Sequence, residues 1–197
     1  MRRKKHPCMI LITTGIVVAL VICSCRLTRV GYETADYLVT GKDSRFEIRE
    51  YPALDLVSTP MAKSPDSEGG SFMRLFSYIS GDNESAQKIP MTTPVFMEES
   101  GVNTQMSFVI PQDVAKKGIP DGLKPSIKIT KLIKGRYAVY RIKGRRSAMK
   151  GEEAKLALRE WLRSQNLDSA GPFIVASYDP PFTPSMLQRN EVMVRLK

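Results

Sequence analysis

Arg45-Phe46-Glu47-Ile48-Arg49-Glu50-Tyr51 is a stretch in which apolar and charged residues alternate. Successive side chains of a β-strand point to opposite faces, so this pattern predicts a half-buried strand. Pro52 interrupts the pattern, and residues 54–59 form a second strand candidate directly after it. The two segments predict the start of a sheet that has one face in the core.

A helix is predicted after the second strand and a polar loop. Its apolar residues recur at the i, i+3, i+4 and i+7 spacing that places side chains on one helix face: Phe72, Leu75, Phe76 and Ile79. Ser71 is the predicted N-cap, and Gly81 and Asn83 are the predicted end of the helix.

The same order of elements recurs along the rest of the chain. Strands are predicted at residues 91–97, 105–110, 126–132, 136–142, 173–178 and 191–196, and a second helix carries Ala154, Leu158, Trp161 and Leu162 on one face. Strand–strand–helix–strand–strand therefore occurs twice. We expect an α+β fold in which two ββαββ-like halves form a curved antiparallel sheet or barrel, with two helices outside it.

The N-terminus combines a basic head with a long uncharged run. Arg2 to Lys5 are all basic, and residues 8–25 carry no charge. This pattern is typical of a signal peptide or a short membrane anchor, with the remainder of the chain crossing the membrane. The run ends in Ile22-Cys-Ser-Cys25, which resembles a bacterial lipobox. Two alternatives follow: a lipid on Cys25, or an uncleaved anchor.

Both alternatives predict the same organisation. Residues 1–25 would be the signal or anchor, residues 26–44 a tether, and residues 45–197 a domain on the extracytoplasmic side of a membrane. All the cysteines and the single histidine lie in the N-terminal segment: His6, Cys8, Cys23 and Cys25. The domain therefore lacks the residues for a disulfide framework, a zinc–thiolate site, Cys–His or Ser–His–Asp catalysis, and histidine-ligated haem.

The sequence offers little for catalysis without histidine or cysteine. General acid–base chemistry would depend on Glu, Asp, Lys or Tyr. Glu47 and Glu50 lie three residues apart on one strand, so they face opposite sides and cannot act as a pair. We expect a protein that is not an enzyme, with a hydrolase that uses Glu and Tyr as the remaining alternative.

The net charge is +10, and one region carries much of the excess. Residues 116–150, the basic block, contain twelve lysines and arginines and one acidic residue, Asp121. Such a block is typical of a solvated face, or of a surface that meets anionic lipid headgroups or an acidic ligand. No aromatic platform or reading helix accompanies it, so nucleic acid is not an expected partner.

Four stretches of the chain resemble the SOUL haem-binding protein family. Their order and spacing match that family from about residue 37 to residue 197: Phe46-Glu-Ile-Arg-Glu-Tyr-Pro52, residues 72–95 with Lys88-Ile-Pro-Met-Thr-Thr-Pro94, Met106-Ser-Phe-Val-Ile-Pro111, and Tyr178-Asp-Pro-Pro-Phe-Thr-Pro184 with Arg189-Asn-Glu-Val192. The resemblance implies a distorted antiparallel barrel flanked by two helices.

The resemblance also implies that haem or another tetrapyrrole binds in a shallow apolar groove between the first helix and the loop before the last strand. These segments supply the candidate contacts Phe72, Leu75, Phe76, Ile79, Pro181, Phe182 and Met186. Arg74 and Arg189 are candidate partners of the propionates. An ion pair within Arg189-Asn190-Glu191 that holds the loop is the alternative for Arg189.

Haem would bind here without a histidine ligand. Tyr78, Met73, Met91 and Met186 are the candidate axial ligands. We therefore expect a membrane-tethered module that binds haem, another tetrapyrrole or another flat hydrophobic ligand without turnover. The alternative is an interaction protein that docks on an anionic membrane or an acidic partner through the basic block.

Overall fold

A nine-stranded antiparallel sheet carries the fold in the computed structural model, which describes residues 32–61, 67–100, 103–180 and 182–197. The elements, in chain order, are β1 Glu33–Thr34, β2 Leu38–Asp43, β3 Phe46–Tyr51, β4 Leu54–Met61, α1 Ser67–Ile79, β5 Thr92–Thr93, β6 Val95–Ser100, β7 Asn103–Val109, α2 Gln112–Lys117, β8 Lys128–Leu132, β9 Gly135–Lys143, α3 Ala148–Ser164, β10 Ser169–Ser177, a 3-10 turn Ser185–Leu187, and β11 Arg189–Leu196.

The strand order in the sheet is β2-β3-β9-β11-β10-β6-β7-β4-β8, and β1 pairs with β5 in a separate two-stranded ribbon. Each of the eight predicted strands has a counterpart in this sheet, so the expected α+β class is confirmed. The strand predicted at residues 91–97 is divided, because Thr92–Thr93 form β5 in the ribbon and β6 begins at Val95. The described strands pair in an open order that ends at β2 and β8. Closure of the sheet into a barrel therefore stays a prediction.

The sheet has an internal two-fold order. If the edge strand β2 is left out, swapping β3 with β8, β4 with β9, β6 with β10 and β7 with β11 gives the same strand order read from the other end. β6 pairs with β10 at the centre, while β3 pairs with β9 and β8 pairs with β4. Each half thus lends its first strand to the other half, and the duplicated element order predicted from the sequence is present.

Two apolar layers stabilise the sheet, one on each face. The layer beneath the helices includes Leu75 and Ile79 of α1 and Leu158 and Leu162 of α3, all buried against strand residues such as Val192. The layer on the opposite face is rich in aromatic residues: Tyr51, Phe96, Tyr137 and Tyr178. Residues 32–197 therefore form a unit with its own core, which is the property of a domain that can fold alone.

The predicted helix faces are confirmed, but the start of the first helix is not. α1 begins at Ser67, and Ser71 lies inside it. The Ser71 hydroxyl donates to the Pro60 carbonyl oxygen at 3.2 Å, so the N-cap prediction is wrong. In α3, Trp161 is half-buried, stacks on Phe46 at 4.9 Å and donates to Asp43 at 3.0 Å.

Two segments predicted as irregular contain regular structure. β2 lies within residues 26–44, the predicted tether, and pairs with β3 from Leu38 opposite Glu50 to Asp43 opposite Phe46. The folded unit therefore begins at Tyr32. The other segment runs from Pro111 to Pro125. Its Lys, Gly and Pro residues predict a loop, but it contains α2, which buries Val114.

Among the described residues, no helix has the length and apolar character needed to cross a membrane. The signal or anchor predicted over residues 1–25, with its candidate lipidation site Cys25, lies outside the described residues.

Candidate functional site

An open groove of about 420 Å³ lies between α1, the segment that joins β9 to α3, and the chain around the start of β11. Five apolar residues line it: Phe72, Met73, Val95, Met97 and Met106. Six polar residues complete the lining: Arg145, Arg146, Ser177, Asp179, Gln188 and Asn190. The groove thus combines an apolar floor with a polar rim.

Strand pairing fixes the floor. Met97 of β6 lies opposite Met106 of β7, and both side chains are buried. Phe96, between the groove residues Val95 and Met97, faces the opposite apolar layer, as the strand alternation requires. Phe72 of α1 packs edge-on against Phe108 with ring centroids 5.3 Å apart. These contacts give the groove an apolar wall on a rigid support.

Two loops of the rim are held against each other at Gly144. Its φ is +71°, and a Cβ at this position would lie 3.1 Å from the Ser185 carbonyl oxygen, so a side chain would disturb both loops. Asn190 Nδ2 donates to the Gly144 carbonyl at 3.2 Å, and Ser177 donates to Asn190 Oδ1 at 3.0 Å. This bonding positions the neighbouring arginines at the mouth of the groove.

The arginines differ in exposure. Arg145 is exposed, whereas Arg146 is partly buried and donates from Nη2 to the Met97 sulfur at 3.5 Å. Guanidinium groups recognise carboxylates through two parallel hydrogen bonds. The groove can therefore accept a flat apolar body whose edge carries carboxylates.

Comparison with known proteins gives the family. The sequence model of the SOUL heme-binding protein family matches residues 32–195. The chain belongs to this family. The match extends to the edge strand β2, which lies within the predicted tether.

Solved structures show the same fold at low identity. The C-terminal domain of EcmrR matches with a TM-score of 0.58 and 11% identity, over 82% of this chain and 98% of that chain. A hydrolase from Listeria innocua matches with a TM-score of 0.56 and 9% identity, over 80% of this chain and 94% of that chain. No curated protein is similar to the chain. At these identities the likeness concerns the fold.

The groove of this SOUL protein uses one of the four residues predicted on the α1 stripe. Phe72 lines it, and Phe76 is 43% exposed and stacks on Phe72 with centroids 6.1 Å apart. Leu75 and Ile79 are buried in the core and are not in the lining. The stripe is therefore mainly a packing face.

The candidates on the loop before β11 lie outside the lining. Phe182 is 78% exposed and Met186 is 85% exposed, and neither contributes to the groove. Pro181 lies outside the described residues. The role of Phe182 and Met186 as ligand contacts stays a prediction.

Arg74 holds α1 against β4. It donates to the Thr59 hydroxyl at 3.1 Å, to the Pro60 carbonyl at 2.6 Å and to the Ser71 hydroxyl at 2.9 Å. It is not part of the groove lining. These bonds give Arg74 a structural role in placing the helix that supplies Phe72.

Of the axial-ligand candidates, only Met73 lines the groove. The Tyr78 hydroxyl is buried and donates to the Pro120 carbonyl at 2.6 Å, and burial raises the pKa of Tyr78 to about 12. Met91 is partly buried against the core. In the described part of the chain, no group of three or more His, Cys, Asp or Glu side chains is placed to hold a metal ion.

Arg189 belongs to a buried ion-pair network rather than to the groove. Arg49 is fully buried and donates to Glu191 at 2.6 and 3.0 Å and to Glu47 at 2.6 and 2.8 Å. Arg189 donates to Glu191 at 2.9 Å and to the Tyr37 hydroxyl at 2.8 Å. The predicted ion pair within residues 189–191 is confirmed, and it fixes the start of β11.

Glu191 is the centre of this network, and it gives a pH prediction. Burial raises the pKa of Glu191, but hydrogen bonds and charge from Arg49 and Arg189 outweigh burial, so the pKa lies below the ordinary value of 4.5. A lowered folded-state pKa adds stability above 4.5, which is lost as the pH falls through the folded pKa. We expect urea unfolding between pH 3 and 7 to show a shallower acid slope for Glu191→Gln than for the wild type. Parallel profiles would contradict this assignment.

Sequence reasoning missed much of the groove. Val95, Met97 and Met106 were predicted only as strand residues, and Arg145 and Arg146 were assigned to the basic block and not to a ligand groove. The block itself is spread over α2, β8, β9, the start of α3 and the loops between them, and β8 and β9 do not pair with each other. Some of its members are already paired: Lys124 with Asp82 at 2.7 Å and Lys131 with Asp55 at 3.0 Å. One signal in the sequence could have indicated these two arginines, because they directly follow Gly144 at the end of a predicted strand.

Proposed function

We propose that this SOUL-family protein binds haem or another flat, carboxylate-bearing tetrapyrrole in the groove, without catalysis. The observation that carries the proposal is an apolar floor directly beside two arginines, in a fold of this family. Ligand sites are typically concave and mostly apolar, with a few polar groups that fix orientation. The groove has this composition.

The donor set fits the macrocycle and its propionates better than it fits the iron. Phe72, Val95 and Met106 offer apolar contacts to a flat ring, and Arg145 and Arg146 offer guanidinium groups to carboxylates. Three thioethers are the only soft donors in the lining: Met73, Met97 and Met106. Bound haem would supply iron chemistry, but these residues hold the ring by its faces and edge. We therefore expect metal-free protoporphyrin IX to bind about as tightly as hemin.

We further propose that residues 1–25 tether the domain to the extracytoplasmic face of a membrane, through a lipid on Cys25 or an uncleaved anchor. The basic head and the uncharged run support this proposal.

A hemin titration tests the groove. We expect a fragment of residues 26–197 to bind one hemin saturably, as followed by Soret absorbance. Phe72→Ala should weaken binding at least tenfold, because losing an aromatic contact costs about 1.5–3 kcal/mol. Phe76→Ala is the matched variant, since Phe76 lies one turn further along α1 and outside the lining. It should leave the affinity within about threefold.

A second variant tests whether weaker hemin binding in Phe72→Ala results from lost packing rather than from a lost ligand contact. Val95→Trp fills the groove without removing a contact, and it should also abolish binding. If Phe76→Ala and Phe182→Ala weaken binding as much as Phe72→Ala, the ligand lies on the outer surface of α1 and the loop. Non-saturable uptake, or uptake matched by an unrelated basic protein, would reject the proposed function.

A further inference from the structure

Two neighbouring segments beside the groove carry exposed apolar side chains together with basic ones. Residues 143–150 and 182–188, here called the docking surface, contain no acidic residue. Three large apolar side chains are strongly exposed: Met149 at 69%, Phe182 at 78% and Met186 at 85%. Four basic residues lie in the same segments: Lys143, Arg145, Arg146 and Lys150.

The two segments are in contact. The close approach of Gly144 to Ser185 also places it beside Met186, because a Cβ on Gly144 would lie 3.9 Å from the Met186 Cα. Lys143 pairs across the sheet with Arg189, directly after the second segment. Lys150 donates from Nζ to the Lys143 carbonyl at 3.4 Å, so the first turn of α3 folds back on the end of β9. The apolar and basic side chains therefore share one part of the surface.

We propose that the docking surface binds an anionic lipid bilayer. Cationic side chains near an anionic membrane are each worth about 1 kcal/mol, and exposed aromatic and aliphatic side chains enter the interfacial layer. The absence of acidic residues in both segments gives the charge complementarity that this partner requires. Exposing three large apolar side chains to water to this degree is unfavourable, so a partner that covers them would lower the free energy.

The shape of the surface favours a bilayer over a protein partner. Phe182 precedes the 3-10 turn, Met186 lies in it, and Met149 lies on the first turn of α3, so the three side chains come from two different segments of the chain. A stable protein interface needs a continuous, complementary patch of about 800 Å² on each partner. A fluid bilayer adapts to separate protruding side chains and needs no such patch.

Docking would bring the groove to the membrane. Arg145 and Arg146 belong both to the docking surface and to the groove lining. A lipophilic ligand could then pass between the bilayer and the groove without crossing open water. This consequence rests on the proposed function, whereas docking itself does not.

The first experiment uses a site-specific probe. A fragment of residues 26–197 contains no cysteine, because all three lie at positions 8, 23 and 25. Met186→Cys and, as a matched control, Leu123→Cys are labelled with an environment-sensitive dye; Leu123 is 59% exposed and lies outside the docking surface. Vesicles contain phosphatidylcholine alone or with 30 mol% phosphatidylglycerol, roughly the charge of an anionic leaflet. We expect a blue shift at position 186 only, and only with the anionic vesicles.

The second experiment separates charge from apolar contact by vesicle co-sedimentation. Lys143→Gln with Lys150→Gln should weaken partitioning about 30-fold, since each lysine contributes about fivefold. Phe182→Ser with Met186→Ser should weaken it at least tenfold. Matched controls change two lysines or two exposed large apolar residues elsewhere: Lys116→Gln with Lys134→Gln, and Leu123→Ser with Ile133→Ser. These controls should stay within about threefold of the wild type.

Three results would overturn the proposal. One is no binding to anionic vesicles by the unmodified fragment at low salt, which would leave the surface to a protein partner. Another is equal loss of binding in the docking-surface variants and in their matched controls. The third is an equal dye response at positions 123 and 186. Hemin binding is measured separately on the same fragment, so failure of docking and failure of the proposed function are distinguishable.

Discussion

A Glu191→Gln variant is expected to lose about 3–5 kcal/mol of unfolding free energy, the cost of removing one partner from a buried ion pair. Glu191 is fully buried and accepts hydrogen bonds from Arg49 and Arg189. Glutamine keeps the size of the side chain but removes its charge. It also presents amide N–H groups to guanidinium groups that already donate. The fully buried Arg49 would keep Glu47 as its remaining carboxylate, and the partly buried Arg189 would lose the carboxylate that it contacts at 2.9 Å.

Urea unfolding of the fragment at pH 7 measures this loss. Asp82→Asn is the matched control, because it makes the same kind of change in the exposed pair with Lys124, and such pairs contribute about 0–1 kcal/mol. A loss below 1 kcal/mol in Glu191→Gln would mean that the network is not needed for stability. Because Glu191→Gln preserves the volume of the side chain, a packing defect would not explain a large loss of unfolding free energy.

The second large effect concerns the carboxylates of the ligand. Charge reversal by Arg145→Glu with Arg146→Glu should weaken hemin binding at least 30-fold, since a charge-assisted hydrogen bond is worth about 1.5–3 kcal/mol. The wild-type fragment should also prefer hemin over its dimethyl ester, in which the propionates are neutral. The double variant should lose that preference, because nothing at the rim would then favour the charged form.

Lys116→Glu with Lys117→Glu is the control, since it changes the net charge by the same amount on α2, outside the groove lining. A comparable loss of hemin affinity in this control would mean that Arg145 and Arg146 act only through the net charge of the protein and not through contact with the carboxylates. An equal affinity of the wild type for hemin and its ester would show that the carboxylates do not meet the rim.

The sheet and the helix faces could be predicted because both follow a simple periodicity. Segments such as residues 45–51 alternate with period two, and the stripe on α1 has helical spacing. The edge strand β2 could not be found in this way. Its exposed Leu38 and Val39 break the alternation, since an edge strand has one free side and packs weakly.

The groove depends on long-range pairing that a single sequence does not show. Met97 and Met106 become neighbours only through the register of β6 and β7, and Arg146 reaches Met97 from a position 49 residues away in sequence. Leu75, by contrast, shares the helix stripe with Phe72 but faces the core. Periodicity identifies a buried face, and it does not separate residues under the helix from residues at its open edge.

Because the two halves exchange their first strands, the chain cannot complete its folding until both halves have been synthesised. β3 finds its partner β9 about 90 residues later, and β4 waits for β8, so the first half cannot complete its hydrogen bonding by itself. Contacts this distant in sequence slow folding, and unpaired strand edges invite association with other chains. In a nascent chain on the ribosome, the edge of β3 that pairs with β9 would therefore stay unpaired until the second half has emerged.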